Sequence, residues 1–133
     1  MRKQYHFRPS GAGLKAWDVD RLVKLSAHLH TESVPIESIR ELDETYWAEP
    51  MTCRALADHA RLINESDLKY PVILSSDGRI MDGMHRVLKA LLLGQSHIAA
   101  VRFVTDPEPD FVGVDPDDLP YDEESGEDEK REV

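Results

Sequence analysis

Apolar residues recur at helical spacing in two segments of the chain. The first segment covers residues 18–30, and the second follows Thr52, which is a favourable helix N-cap, and ends at the polar run 64–67. The apolar positions are Val19, Leu22, Val23, Leu25 and Leu29 in the first segment, and Ala55, Leu56, Ala60, Leu62 and Ile63 in the second. Each series forms one stripe on a helix, so both segments are predicted to be amphipathic helices.

Other short apolar runs have the character of β-strands. Residues 34–39 alternate apolar and polar side chains with Pro35 near the start, which is typical of a short edge strand. Residues 71–74 and 79–81 flank a Ser-Ser-Asp-Gly turn and predict a β-hairpin. Residues 98–104 predict a final strand.

A second Asp-Gly pair, Asp82-Gly83, leads into a different kind of element. The following residues 87–93 are apolar almost all round, which predicts a helix buried against the sheet and ended by Gly94. This order of elements predicts an α/β fold of the α+β type, with a small mixed sheet and packed helices. We expect an N-terminal helical extension (1–33), a central domain (34–106) and an acidic, disordered tail (107–133).

The charge of the chain is concentrated in its tail. The net charge is −10, but residues 115–133 hold ten acidic and two basic side chains, which leaves the rest near neutral. A broad basic face is therefore not indicated, and direct binding to duplex DNA is not expected. The chain has no apolar run long enough to cross a membrane, no secretory signal and only one cysteine, so a cytoplasmic protein is predicted.

The segment Asp82-Gly83-Met84-His85-Arg86 is the candidate binding site. A strand that turns directly into a helix leaves first-turn amides without partners at the positive end of the helix dipole, which favours an anion such as phosphate. Gly83 permits close approach, and His85 and Arg86 add donors. Asp82 would repel phosphate unless it binds Mg²⁺ or acts as a base. The alternative is that Asp82 caps the helix, Gly83 eases the turn, and His85 and Arg86 are solvated.

These residues carry a resemblance to a known fold. The run Tyr70-Pro71-Val72-Ile73-Leu74, followed by Asp77-Gly78-Arg79-Ile80-Met81-Asp82-Gly83-Met84-His85-Arg86 and then by Ala90 and Gly94, resembles the ParB/sulfiredoxin-like fold. Residues 34–39 resemble the opening strand of that domain, so the likeness spans about residues 34–104. It favours a nucleotide site over the alternative of a plain helix cap.

The branches of this superfamily imply different activities. Sulfiredoxins carry a reactive cysteine where this chain has Met84, so that activity is not expected. ParB-type proteins bind CTP through a related Gly-x-x-Arg box and continue into a helix-turn-helix, whereas this chain continues into an acidic tail. Free serine kinases resemble it in the Asp-Gly-x-His-Arg box and in an upstream glutamate that acts as a base, here Glu41 or Glu44.

The kinase resemblance implies a role for each residue of the site. Gly83, the backbone of Met84, His85 and Arg86 would hold the phosphates of a nucleotide, which could be ATP, ADP or CTP. Asp82 would engage Mg²⁺, and Glu41 or Glu44 would accept the proton of a small hydroxyl substrate. The expected function is that of a nucleotide-binding phosphotransferase or nucleotide hydrolase. The alternative is a non-catalytic ParB-like module of a DNA-partition or nucleic-acid-associated system.

A few further residues suit chemistry but have simpler interpretations. Trp17, Tyr46 and Trp47 suit stacking on a base, but packing or a homodimer surface is the favoured interpretation. Cys53, at a helix start, is interpreted as a small buried residue, and His59 as a solvated or hydrogen-bonded one.

Overall fold

The computed structural model describes residues 3–47 and 49–121 and has the predicted α+β architecture, with a mixed sheet. The strands are β1 (Tyr5–Ser10), β2 (Gly13–Asp18), β3 (Glu32–Pro35), β4 (Val72–Leu74), β5 (Ile80–Asp82), β6 (His97–Arg102) and β7 (Phe111–Val112). The α-helices are α1 (Val19–Ser26), α2 (Cys53–Glu65) and α3 (Met84–Leu92), and short 3₁₀ turns cover Ile36–Ser38, Arg40–Asp43 and Pro116–Asp118.

The four-stranded sheet has the order β3-β6-β4-β5 and includes the predicted hairpin of β4 and β5. Strands β4 and β6 are parallel, and the other two pairs are antiparallel. The edge strand begins before the predicted 34–39 segment and ends at Pro35. Beyond it the chain forms a 3₁₀ turn, whose three-residue period directs both Ile36 and Ile39 into the core.

Both faces of β4 are buried, which explains its unbroken apolar sequence. One face packs with α3 through residues that include Val72, Leu74, Val87 and Ala90. The other face presents Ile73 to a second cluster, which contains Trp17, Leu22, Met81, Val101 and Phe103. The sheet is therefore sandwiched between α3 on one side and α1 with its preceding strand on the other.

The prediction that α3 is buried almost all round is wrong at its C-terminal end. Val87 and Ala90 are fully buried, but Leu92 and Leu93 are 76% and 61% exposed. The helix packs on the sheet with one face and contacts α2 with another, so the third face of its last turn meets solvent. Gly94, with a φ of +78°, ends the helix as predicted.

The predicted N-terminal extension is not purely helical, because β1 and β2 precede its helix as an antiparallel hairpin. The helix predicted over residues 18–30 is shorter, since it spans Val19–Ser26. Asp18 is its N-cap and accepts a hydrogen bond from the Asp20 amide at 2.9 Å. The hairpin escaped prediction because its first strand is only partly buried and shows weak apolar alternation.

The prediction that order fades after Pro107 is wrong as far as residue 121. Strand β7 pairs with β2 and completes a three-stranded sheet of order β1-β2-β7. The indole of Trp17 donates a hydrogen bond to the Pro107 carbonyl at 2.8 Å, and Leu119 is buried. The predicted disorder of residues 122–133 lies outside the described residues. No helix in the described part of the chain is both long and apolar enough to span a membrane.

Candidate functional site

The junction between β5 and α3 depends on Gly83. Its backbone is left-handed, with a φ of +111°, and it occupies the N-cap position of α3 without a side-chain cap. A Cβ at this position would lie 2.7 Å from Val72 Cγ1 and 2.9 Å from Arg86 Nη2. The fold therefore requires glycine for its backbone conformation and for space. The first-turn amides of Met84 and His85 have no acceptor within the helix, as the sequence predicted.

Arg86 is a structural anchor of this junction. Its side chain is wholly buried, and Nη2 donates to Asp82 Oδ2 at 2.8 Å. Nη1 donates to the carbonyl oxygens of Tyr70 and Pro71, both at 3.0 Å. The expectation that Arg86 might be solvated is wrong, and the residue does not line the cavity described below. Its predicted role as a phosphate ligand remains a prediction, against which these contacts weigh.

A cavity of about 720 Å³ opens beside the junction. It is walled by the start of α3, by β1 and by the loop that precedes α2. Four of the predicted site residues line it, namely Asp82, Gly83, Met84 and His85. The other lining residues are Lys3, Gln4, Tyr5, His6, Phe7, Val19, Tyr46, Trp47, Glu49, Leu62, Met81 and Tyr121. Its walls therefore combine aromatic rings with a few charged groups, as ligand sites for ring-containing molecules do.

Two histidines and a glutamate form a hydrogen-bonded chain at one wall of the cavity. His85 Nε2 lies 2.8 Å from His59 Nδ1, and His59 Nε2 lies 3.2 Å from Glu49 Oε1. Trp47 packs on both imidazoles, with ring centroids 4.1 Å from His59 and 5.0 Å from His85. His59 was predicted to be solvated or hydrogen-bonded, and the structure shows that it is hydrogen-bonded. Its hydrogen bond to His85, a residue of the candidate site, was not predicted.

Both imidazoles that line the cavity are neutral at physiological pH. Burial lowers the pKa of His85 to about 4, aided by the charges of His59 and Arg86. Burial likewise lowers the pKa of His6 to about 4, with a further contribution from Arg8. His6 Nε2 is buried and has no hydrogen-bond partner among the described residues. The cavity therefore offers imidazole nitrogens as neutral donors or acceptors.

Glu41 and Glu44, the predicted bases, lie outside the lining of the cavity and bind Arg79. Glu41 is 4% exposed, and its Oε2 accepts a hydrogen bond from the Ile80 amide at 2.9 Å and forms an ion pair with Arg79 Nε at 3.1 Å. Glu44 accepts two hydrogen bonds from Arg79, at 3.0 and 2.6 Å, and these hydrogen bonds lower its pKa. In the described structure both carboxylates hold the start of β5.

Tyr46 is the tyrosine of the loop that lines the cavity before α2. Its ring packs against the core, and burial raises its pKa to about 12. The negative charges of Asp82 and Glu41 contribute to this higher pKa. The Tyr46 hydroxyl is consequently a proton donor at neutral pH at the edge of the cavity. Tyr46 and Trp47 form an edge-to-face pair with centroids 5.2 Å apart.

The described residues contain no cluster of side chains arranged as metal ligands. No group of three or more His, Cys, Asp or Glu side chains within residues 3–47 and 49–121 is placed to hold a metal. Asp82, the predicted ligand, gives Oδ2 to Arg86. Magnesium binds nucleotides mainly through phosphate oxygens and water, with one or two protein carboxylates, so here it would be part of the substrate.

Several residues of the cavity were missed by the sequence analysis. The N-terminal wall contributes Lys3, Tyr5, His6 and Phe7, and Tyr121 comes from the segment predicted to be disordered. The available signal was the Gly11-Ala12-Gly13 turn between two segments that form the strands of a hairpin. For His59, the signal was its position on the apolar stripe of α2. Cys53, predicted to be buried, is exposed.

No family model, curated protein or solved structure matches the chain.

Proposed function

We propose that this protein binds a magnesium–nucleotide in the cavity and transfers its terminal phosphoryl group to a small hydroxyl compound. One observation carries the proposal: an aromatic-walled cavity of about 720 Å³ opens onto the glycine-initiated N-terminus of α3. The resemblance of residues 34–104 to the ParB/sulfiredoxin-like fold, and of Asp-Gly-x-His-Arg to the free serine kinase branch, supports the same assignment.

The phosphate end of the ligand would lie at the first turn of α3. The amides of Met84 and His85 point out of the helix end, and the helix dipole favours an anion there. The charged side chains that line the cavity are Lys3, Asp82 and Glu49, and Lys3 pairs with Asp18 at 3.1 Å. A bare triphosphate would therefore meet little net positive charge, so we propose that magnesium arrives with the nucleotide.

The base of the nucleotide would lie among the aromatic rings. Tyr5, Phe7, Tyr46, Trp47 and Tyr121 line the cavity and offer flat apolar faces. Stacking of this kind tolerates different bases, because every base has a π-face. The geometry therefore supports a nucleotide without selecting adenine over cytosine.

A second candidate, a non-catalytic ParB-like binding module, rests on a specific observation. Each predicted catalytic carboxylate has an arginine partner, since Asp82 binds Arg86 while Glu41 and Glu44 bind Arg79. Carboxylates held in this way stabilise a fold without necessarily serving a reaction. This candidate predicts nucleotide binding without turnover.

Isothermal titration with ATP, ADP, CTP and GTP in the presence of Mg²⁺ tests the binding proposal. We expect one nucleotide to bind, with at least a tenfold loss of affinity in Trp47→Leu, because the largest ring of the cavity is removed. Leu56→Ala, an exposed change on α2, is the matched control and should bind normally. If no nucleotide binds at millimolar concentration to the folded wild type, the proposal is wrong.

Turnover separates the two candidates. ATP hydrolysis and phosphoryl transfer to L-serine would be measured for the wild type and for Asp82→Asn, which preserves size but removes the charge. The kinase proposal expects transfer that Asp82→Asn abolishes. Binding without any transfer or hydrolysis would favour the non-catalytic module.

A further inference from the structure

The chain of Glu49, His59 and His85 has a defined direction. It begins at Glu49, whose carboxylate is 52% exposed, passes through the largely buried His59, and ends at His85 in the wall of the cavity. The two links measure 3.2 and 2.8 Å, which are hydrogen-bonding distances. Glu49 also lines the cavity, so these hydrogen bonds connect the buried His85 to a solvent-exposed carboxylate of the same cavity.

The chemistry of the three groups fixes where the protons lie. A hydrogen bond from the Glu49 backbone amide and a second from His59 lower the pKa of Glu49, so its carboxylate is ionised and can only accept. In its neutral form His59 carries its proton on Nε2 to donate to Glu49, which leaves Nδ1 as an acceptor. His85 must donate from Nε2, which leaves its own Nδ1 with a free lone pair.

We propose that Glu49, His59 and His85 form a proton relay in which His85 Nδ1 accepts the proton of a hydroxyl group bound in the cavity. The proposal rests on the proposed function, because that hydroxyl is the group that receives the phosphoryl. It replaces Glu41 and Glu44 as the base, since both lie outside the cavity lining and bind Arg79.

The proton movements balance along the relay. The hydroxyl O–H bond breaks and its proton joins His85 Nδ1, while the oxygen uses the electron pair to bond the terminal phosphorus. The bond from that phosphorus to the bridging oxygen breaks, and the nucleoside diphosphate leaves with that electron pair. His85 passes its Nε2 proton to His59 Nδ1, and His59 passes its Nε2 proton to the Glu49 carboxylate, from which solvent removes it. No imidazole carries a lasting charge, which matters because burial lowers the pKa of His85.

The surroundings of His85 disfavour a lasting imidazolium, so a proton that it accepts should pass on to His59. Trp47 stacks on both imidazoles and holds their relative orientation. The positive charges that act on His85 are Arg86 and, when protonated, His59, and both oppose a permanent imidazolium. The remaining charged groups of the cavity are Lys3, Asp82 and Glu49. An isolated His85 would thus be a weak base, and the carboxylate at the far end supplies the driving force.

Nitrogen-15 NMR of the imidazoles tests the relay on the protein without ligand. We expect His59 and His85 both to be protonated on Nε2 and bare on Nδ1 at pH 7.5. In Glu49→Gln the histidine pair should take up its first proton at a lower pH than in the wild type, because a nearby negative charge is lost. Glu37→Gln, which also removes an exposed carboxylate, should leave that pH unchanged. A proton on Nδ1 of His85, or an unchanged titration in Glu49→Gln, would overturn the relay.

Kinetics with Mg²⁺, ATP and L-serine give the second measurement. We expect Glu49→Gln to lower kcat about tenfold or more with KM unchanged, because the relay acts on the proton and not on binding. Unchanged kcat would also overturn the relay. If titration shows no nucleotide binding while the NMR results hold, the proposed function fails and the relay geometry does not. His85→Gln is less suitable as the main variant because its side chain is buried and its folding is at risk.

Discussion

Two arginines hold the ends of β5 in different ways. Arg86 lies beyond the C-terminal end of the strand, is wholly buried, and combines the Asp82 carboxylate with two backbone carbonyls. Arg79 precedes the strand, remains 25% exposed, and binds Glu41 and Glu44. Removing Arg86 would leave the buried Asp82 carboxylate without its ion-pair partner, whereas removing Arg79 would release the exposed Glu44 and leave the buried Glu41 with the Ile80 amide as a donor. We therefore expect the pair of Arg86 and Asp82 to contribute more to the free energy of unfolding than the contacts of Arg79 with Glu41 and Glu44.

The largest effect is expected at Arg86. Arg86→Met fills similar space but leaves the Asp82 carboxylate and two carbonyl oxygens without this donor, so unfolding free energy should fall by about 3–5 kcal/mol. Urea unfolding monitored by tryptophan fluorescence measures the change. Asp82→Asn combined with Arg86→Met should recover part of the loss, because no buried charge remains. A loss below 1 kcal/mol in the single variant would contradict the anchor role.

As pH falls, the first loss of stability is expected from His85, which lines the cavity next to Arg86 in the sequence. The pKa of His85 is about 4 in the fold, against 6.5 when unfolded, so the unfolded state binds more protons between these values. Stability should therefore fall as pH drops from about 6.5 to 4, by at most on the order of 3 kcal/mol for this group. The pKa of Glu44 is lowered from 4.5 by its hydrogen bonds to Arg79, so its contribution is lost only at lower pH. Urea midpoints measured from pH 8 to 3 would separate the two windows.

His85→Gln isolates the contribution of His85 to the first window, to which His6 also contributes because its pKa is likewise lowered to about 4. Compared with the wild type, it should flatten the slope of stability between pH 6.5 and 4. His28→Gln, an exposed histidine of the segment after α1, should not. An equal slope in all three proteins would show that His85 ionises as freely in the fold as in the unfolded chain.

Gly83→Ala should destabilise the fold, because the new methyl group would clash with Val72 and with the Arg86 side chain. The added methyl would lie 2.7 Å from Val72 and 2.9 Å from Arg86 Nη2, and alanine disfavours a φ of +111°. We expect a loss of about 1–3 kcal/mol in unfolding free energy. Gly11→Ala is the control, since nothing lies within 4 Å of a Cβ there. Equal stability of the two variants would refute this account of the junction.

The elements near Gly83 could be predicted because their signals are local. Thr52 caps α2, Asp77-Gly78 makes the hairpin turn, and Gly94 ends α3, each through the conformation of a few neighbouring residues. The mixed α+β architecture followed from their order. Four of the seven predicted site residues line the cavity for the same reason, since they occupy one strand-to-helix turn.

The rest of the site depends on contacts between distant parts of the chain. Tyr5 packs against Tyr121, and β7 pairs with β2, across about a hundred residues that local patterns do not connect. The ion pairs of Glu41 and Glu44 with Arg79 were also not predicted. The sequence does not show which arginine lies beside a carboxylate in the fold, so both glutamates were interpreted as catalytic. The exposed leucines at the end of α3 illustrate the same limit, since apolar sequence predicts burial only where a neighbour exists to cover it.

The smallest effect is expected at Arg79. Arg79→Gln leaves the buried Glu41 carboxylate bound to the Ile80 amide and releases Glu44 into solvent, so the loss should be about 1–2 kcal/mol. Arg61→Gln, which breaks an exposed pair with Glu65 on α2, sets the baseline near zero. A loss at Arg79 as large as that at Arg86 would end the distinction between the two groups. If Glu44 were the catalytic base, Glu44→Gln would abolish phosphoryl transfer, whereas a relay through His85 predicts a rate within about twofold of the wild type.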